Sequence, residues 1–415
     1  MLEGLVPAAR ALEIILEGAT PCPPETLPLS QCAGRVLATD LAATRTQPPF
    51  PASAMDGYAV RAKDLANLPA RLELIGESAA GHPFSGTLGS GQAVRIFTGA
   101  LVPKGADAIA IQENVQRDGN TAIIDTVVKS GTFVRQAGLD FQEGQVCLKS
   151  GEALTPPKLA LTASMGHADL AVVGKPLVAL AATGDELHLP GSDLPEGGII
   201  ASNTFGLSAI IADAGGRVFD LGIVRDTREA LETAFRRALD EGADMIVTTG
   251  GASVGDHDLV RPAFEAVGGK TRFAKIAMRP GKPFLHGVVE HGGKKVPLLG
   301  LAGNPVSSIV AALVFVRPLI SRLAGRADET VRPVRAVLGR DLSANDEREE
   351  YMRATARRLE NGSIEVMPFE RQDSSMLALL ARADALVIRP ASAPAAHKGD
   401  AVEAVLMADI QRGNR

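Results

Sequence analysis

Residues 244–284 read DMIVTTGGASVGDHDLVRPAFEAVGGKTRFAKIAMRPGKPF. The β-branched run at 245–249 predicts a buried strand, which breaks at Gly250 and Gly251 into a loop carrying Ser253, Gly255, Asp256 and Asp258. Helical spacing resumes at Leu259. A strand that ends in glycines and opens a helix aims backbone N–H groups outward at the positive end of that helix, which suits a phosphate or another oxyanion. Within about thirty residues the chain adds Lys275, Arg279 and Lys282 around the turn Pro280-Gly281. Acids able to hold a divalent cation, close to bases able to hold an anion, suggest chemistry on a phosphorylated or oxyanionic substrate.

Outward from this stretch, strand, glycine loop and helix recur from 175 to 325. Strands are expected at 177–182, ending in TGDEL, at 217–224, ending in Arg225-Asp226, and at 296–301, ending in AGNPVSS. Helices are expected at 204–214, at 227–240 with Thr227 as N-cap, and from about 306. Such alternation implies a parallel, doubly wound sheet, whose ligands collect outside the carboxyl ends of the strands. Glu186, Asp226, Ser253, Asp258, Asn304 and Ser307 then converge on one edge. Turn residues alone would fall at both ends of the strands.

The flanks have a different texture. An amphipathic helix is expected at 7–17, and helical spacing returns in 151–167 after Pro157. Packed together, the two would make a discontinuous N-terminal domain of residues 1–45 and 146–174. Between them, short β-like runs separated by glycines predict an inserted β-rich domain at 46–145. The doubly wound domain takes 175–327, and alternating apolar and polar residues in 328–415 predict a C-terminal β domain. The whole is an α/β multidomain protein. In the inserted domain Asp56, Thr98 and Asp140 stand out, although turn chemistry accounts for each. In the tail Arg353 and the stretch QDSSM at 372–376 stand out, and surface placement accounts for both.

Composition narrows the function classes. At 415 residues, with 46% hydrophobic and 22% charged residues, the chain is globular and too long for a single core. A formal charge of −5 without a basic tail argues against nucleic acid or an anionic membrane as partner. The start is amphipathic with Glu3 and Glu13, unlike a signal peptide, and the apolar run at 309–316 is short for a bilayer span. Three cysteines without close pairs fit reduced thiols in the cytoplasm, and seven scattered histidines carry no HExxH.

The chemistry open to these residues is metal-assisted. Asp226, Asp258 and Glu186 suit Mg²⁺, which takes one or two carboxylates, waters and substrate phosphate oxygens. Arg279 and Lys282, braced by Pro and Gly, could hold a tetrahedral dianion or a leaving phosphate. With neither a Ser-His-Asp set nor a catalytic cysteine in evidence, the residues by themselves point to phosphoryl or oxyanion transfer on a substrate they do not name.

In order and spacing, PPFPASAMDGYAV, RIFTGALVPKGADAI, GLDFQEG, ATGDEL, GIVRDT, TTGGASVGDHD, AMRPGKPF and LAGNPVSS resemble the molybdopterin molybdenumtransferases, the MoeA and gephyrin E-domain family. The likeness spans nearly the whole chain and is most specific in 45–310. It implies an elongated homodimer of four-domain subunits ending in a β barrel, with the inserted domain of one subunit facing the doubly wound and C-terminal domains of the other. It further implies that adenylylated molybdopterin and molybdate are converted, with Mg²⁺, to molybdenum cofactor and AMP, and that a molybdopterin adenylyltransferase is a partner.

Carried over by residue, the resemblance gives Asp258, Glu186 and Asp226 to the metal and substrate phosphates, Asp258 foremost, and adds Lys275 to the catalytic set. Gly251 and Ser253 match the phosphate-side loop, and Lys275, Arg279, Lys282 and Ser307 match the molybdate-side positions, with Asn304 beside them on the strand-end edge. Asp56, Thr98 and Asp140 acquire a role on the opposite wall. Arg353 and Ser374 match a second anion site, although the tail lacks the family's Gly-Ser pattern there. Arg279 stands where many members carry lysine, which keeps the charge and changes the shape of the head. A scaffold that binds molybdate or molybdopterin without turnover, and the adenylyltransferase step itself, are the alternatives.

Overall fold

The computed structural model of the chain describes residue 2 and residues 4–251, 259–326 and 332–407. It divides into two units, one of Met1–Glu25, Gly151–Ala153 and Ala171–Arg415, the other of Thr26–Ser150 and Leu154–Leu170. The domain boundary expected at 327–328 lies outside the described residues.

The first unit is built on six strands: β1 (Leu177–Thr183), β2 (Arg217–Val224), β3 (Met245–Thr249), β4 (Lys270–Lys275), β5 (Pro283–His291) and β6 (Lys294–Leu301). They lie in the order β2-β1-β3-β6-β5-β4. The first four are parallel, as expected. Strands β5 and β4 run antiparallel and make the sheet mixed. This hairpin is an addition to the doubly wound plan. Its two strands are joined by the basic stretch 276–282, which hid its apolar content, while Gly292 and Gly293, both with positive φ, turn the chain from β5 into β6.

The sheet is buried on both faces, which is why its central strands read as continuous apolar runs. Val178, Leu180, Met245 and Val247 face Leu207 and Ile211 of the helix Asn203–Asp213 and the long helix beginning at Pro305. Ala179, Ala181 and Ile246 face Leu231 and Phe235 of Arg228–Asp240 and Phe264 of Val260–Ala266. Thr227 caps its helix by accepting the Ala230 N–H at 3.3 Å.

The helix Ala8–Leu16 buries Ala8, Ala11, Ile14 and Ile15 in the core with Phe315 and Leu319. One expectation is corrected in this unit. The apolar run at 309–316 is part of a 19-residue helix, Pro305–Leu323, long and apolar enough to cross a membrane, yet 89% of it is buried within the protein. This helix widens to a π turn at Ala312–Val316, which ends two residues before Pro318, a residue with no N–H to donate to the preceding turn.

Strands Val334–Leu338, Glu349–Arg358, Ile364–Pro368, Ala385–Arg389 and Ala401–Leu406 form a closed barrel, because Glu349–Arg358 pairs with both Ile364–Pro368 and Ala385–Arg389. Its small interior is filled largely by alanine and valine, including Ala336, Ala354, Val366 and Val387. The short strand Met278–Arg279 joins the barrel, parallel to Glu349 and Glu350.

The second unit contains a six-stranded sheet in the order Ala108–Ile111, Gly57–Val60, Gln92–Ile96, Ala70–Ser78, Thr121–Ile124, Val115–Asp118. Apolar residues alternate to its two faces, with Tyr58 and Val60 on one and Ala59 on the other. Here Leu161 of the helix Pro156–Ser164 and Met165 pack with Ala43 and Phe141.

Candidate functional site

The chain passes from β1 to β2 on one side and then to β3 on the other, so the carboxyl ends of β1 and β3 border the crevice where such sheets bind ligands. Gly250 leaves β3 with φ +93, and a Cβ there would lie 2.1 Å from the Thr183 carbonyl oxygen. Only glycine lets the two strand ends approach so closely. The Thr183 hydroxyl donates to Asp226 Oδ1 at 3.2 Å, and the Asp226 N–H donates to Asp185 Oδ1, also at 3.2 Å. A Cβ on Gly251 would stand 3.7 Å from Asp226 Oδ1, and one on Gly184 would stand 2.7 Å from both carboxylate oxygens of Glu186. Glu186, Asp226 and Gly251 thus share one rim. Ser253 and Asp258 lie outside the described residues.

The neighbouring strand end is organised by residues that sequence reasoning missed. Asn203 donates to Thr249 Oγ1 at 2.9 Å and to the Gly303 carbonyl at 2.7 Å. Thr249 and Ser308 exchange a hydroxyl hydrogen bond of 2.9 Å, and both reach the Ala302 carbonyl. These contacts fix the start of the helix from Pro305, where Ser307 is buried. Asn304 donates to Ser374 Oγ at 2.8 Å, and the Val306 N–H donates to the Ser374 carbonyl. Arg353 is 1% exposed. Its guanidinium donates to Gln372 Oε1 and the Asp373 carbonyl, so it holds the loop that carries Ser374.

The basic turn folds back on itself through the Ile276 N–H, which donates to the Lys282 carbonyl at 3.0 Å. A Cβ on Gly281 would meet Met278 Cε at 2.7 Å and stand 3.9 Å from the Ser307 carbonyl oxygen, so the turn lies against the first turn of the Pro305 helix. Lys282 is exposed and Lys275 half-buried. Among the described residues neither ammonium has an ionic or hydrogen-bonded partner. Arg279 differs, for its head donates to Glu350 at 2.6 Å, Asn345 at 3.1 Å and Asp346 at 3.2 Å. The Glu350 hydrogen bond raises its already high pKa. Arg348 and Arg279 hold the Asp346 carboxyl down at about 2.

Among the described residues no three His, Cys, Asp or Glu side chains are grouped to hold a metal. Asp226 and Glu186 supply hard carboxylate oxygens on one rim, a donor set that fits a cation completing its shell with water and substrate oxygens.

In the second unit the Asp56 carboxylate accepts both the N–H and the hydroxyl of Thr98. Those bonds hold its pKa below the usual carboxylate range. Arg95 is stacked between Tyr58 and Phe97, with 5.1 and 4.8 Å to the ring centroids, and donates to the Gly57 carbonyl. Asp140 is exposed, its N–H bound to the Gln47 carbonyl.

Three family descriptions match in succession: MoeA N-terminal region (domain I and II) at 6–166, probable molybdopterin binding domain at 179–322, and MoeA C-terminal region (domain IV) at 335–407. The chain belongs to the MoeA family. The molybdopterin molybdenumtransferase of Haemophilus influenzae is 35% identical over 89% of this chain and 90% of its own length, and that of Bacillus subtilis is 34% identical over 92% and 90%. Two structures of the MoeA molybdopterin biosynthesis protein of Pyrococcus horikoshii superpose with TM-scores of 0.83 and 0.80. They are 31% and 27% identical and cover 97% of this chain and 99% and 100% of theirs. The MoeA N-terminal match spans the Asp56–Thr98 pair, the molybdopterin-binding match spans the strand-end rim, and the C-terminal match spans Arg353 and Ser374.

Proposed function

We propose that this chain is an enzyme that inserts molybdenum into molybdopterin, taking adenylylated molybdopterin and molybdate and releasing molybdenum cofactor and AMP. The reading is carried by one observation: within a MoeA chain, the acidic rim at the ends of β1 and β2 belongs to the same domain as the basic turn seated on the Pro305 helix. Asp226 and Glu186, with Asp258, would hold Mg²⁺ on the phosphate side. Mg²⁺ there would offset the charge of the pyrophosphate as its P–O bond breaks. The Gly251 N–H at the end of β3 would serve the same phosphates, and the ammonium groups of Lys275 and Lys282 would hold the molybdate dianion beside Ser307. The working form is taken to be a homodimer, in which Asp56, Thr98 and Asp140 of the second subunit complete the cleft. A molybdopterin adenylyltransferase would supply the substrate in the cytoplasm.

Purified protein given adenylylated molybdopterin, molybdate and Mg²⁺ is expected to release AMP, and to stop when EDTA is added. Asp226→Asn is expected to lower the rate at least tenfold while the protein stays folded. Tight molybdate binding without AMP release would overturn the reading in favour of a binding scaffold. ATP consumption with free molybdopterin would overturn it in favour of the adenylyltransferase step.

A further inference from the structure

We infer that Glu350, on the barrel, is a positioning residue for the molybdate-binding turn, and that it acts by capturing Arg279, which therefore serves as a latch and not as an anion ligand. The inference rests on the proposed function for the identity of the anion, but the latch itself is a matter of geometry.

The turn from Ile276 to Lys282 is pinned at three points. Its ends are joined by the Ile276–Lys282 backbone bond, and Gly281 sits against the Pro305 helix. The third pin reaches another domain. Met278 and Arg279 pair with Glu349 and Glu350, the Glu349 N–H donates to the Ala277 carbonyl at 2.9 Å, and the Arg279 guanidinium closes on the Glu350 carboxylate at 2.6 Å. The Glu350 side chain is 11% exposed and that of Arg279 38%, so the contact is shielded from water on its Glu350 side.

An anion ligand needs uncommitted donors and uncompensated charge. Nη1 of Arg279 donates to Asp346 and Nη2 to Asn345 and Glu350, while Nε is buried without a partner among the described residues and faces no solvent, so the outward end of the head is largely committed and two carboxylates lie beside it. A dianion brought to this face of Arg279 would meet the Glu350 carboxylate, and Asp346 beyond it shared with Arg348, and like charges at such range repel. Among the described residues Lys275 and Lys282 have no carboxylate partner. The planar fork of arginine is what permits three acceptors to be held at once, which a lysine ammonium could not do in this geometry.

The test compares wild type with Glu350→Gln and Arg279→Lys in the full chain. Backbone hydrogen exchange across 276–282 is expected to speed up at least tenfold in Glu350→Gln. The KM for molybdate is expected to rise at least fivefold in both variants, with kcat and the KM for the adenylylated substrate within twofold of wild type, because the turn loosens while the phosphate side is untouched. A fall in the molybdate KM of Glu350→Gln would overturn the inference, since it would mean that a released Arg279 binds the anion. Unchanged exchange would overturn it too. If wild type turns over no molybdate, the proposed function fails, and the exchange result still decides the latch.

Discussion

Thr98 donates both its backbone N–H and its hydroxyl to a single oxygen of Asp56, at 2.7 and 2.8 Å, across 42 residues of chain. The pair keeps the carboxylate ionised to lower pH than usual. Replacing Thr98 by valine leaves the N–H bond and removes the hydroxyl bond, so the Asp56 carboxyl should titrate at higher pH, read by NMR of the labelled side chain. AMP release should fall about tenfold, the scale of one charged hydrogen bond. An unmoved titration would show that the hydroxyl bond does not form.

Asn203 ties Thr249 at the end of β3 to the Gly303 carbonyl after β6. Asn203→Ala should lower the unfolding free energy by about 1–3 kcal/mol, because it leaves a carbonyl and a buried hydroxyl short of a donor. Urea unfolding checks this. A change below about 0.5 kcal/mol would mean that water replaces the amide at no cost.

Gly250→Ala forces a side chain into a positive-φ position and against the Thr183 carbonyl oxygen. Strain of this kind costs about 1–3 kcal/mol, and relief would have to separate β1 from β3. Thermal unfolding should show a lowered midpoint, and the phosphate-side rim should lose activity with it.

His286 is buried between Phe273 and the Leu298 carbonyl, and burial pushes its pKa down to about 4. The folded state therefore holds it neutral while the unfolded chain, with an ordinary value near 6.5, takes up a proton. Stability contributed by the neutral ring is fully present above pH 6.5 and is lost as pH falls towards 4. The loss is about 3 kcal/mol. Urea unfolding at pH 7, 5 and 4 should show this slope in wild type and a shallower one in His286→Leu.

Strands β1 and β3 could be read from the chain because burial on both faces demands uninterrupted apolar residues, and Gly184 and Gly250 mark where they stop. The β4–β5 extension could not, since its polar ends and the basic turn between its strands resemble a loop. The same holds for the site. The acids and bases are visible as residue types, but what they touch depends on long-range closure: Asn203 reaches Gly303 across 100 residues, and Arg279 reaches Glu350 across 71. The charge of Arg279 is visible in the chain, but its partners Glu350, Asp346 and Asn345 are not, because they come from the barrel. Thr183 and Ser308 have nothing in their local sequence to separate them from other hydroxyls.

The π turn at Ala312–Val316 has a consequence for how the chain tolerates insertion and deletion. Each residue of a helix advances its face by about 100°. The wide turn absorbs one residue more than a regular turn would, so the face presented by Ser307 and Ser308 and the face buried by Leu319 and Ile320 stay in phase despite that extra residue. Deleting a single residue there would straighten the helix and keep the two faces in phase, whereas deleting one in the regular turns on either side would turn the serines by about 100° relative to the core they are anchored in. The rotational phase of the binding edge is thus buffered by a wide turn several positions downstream of the residues it aims.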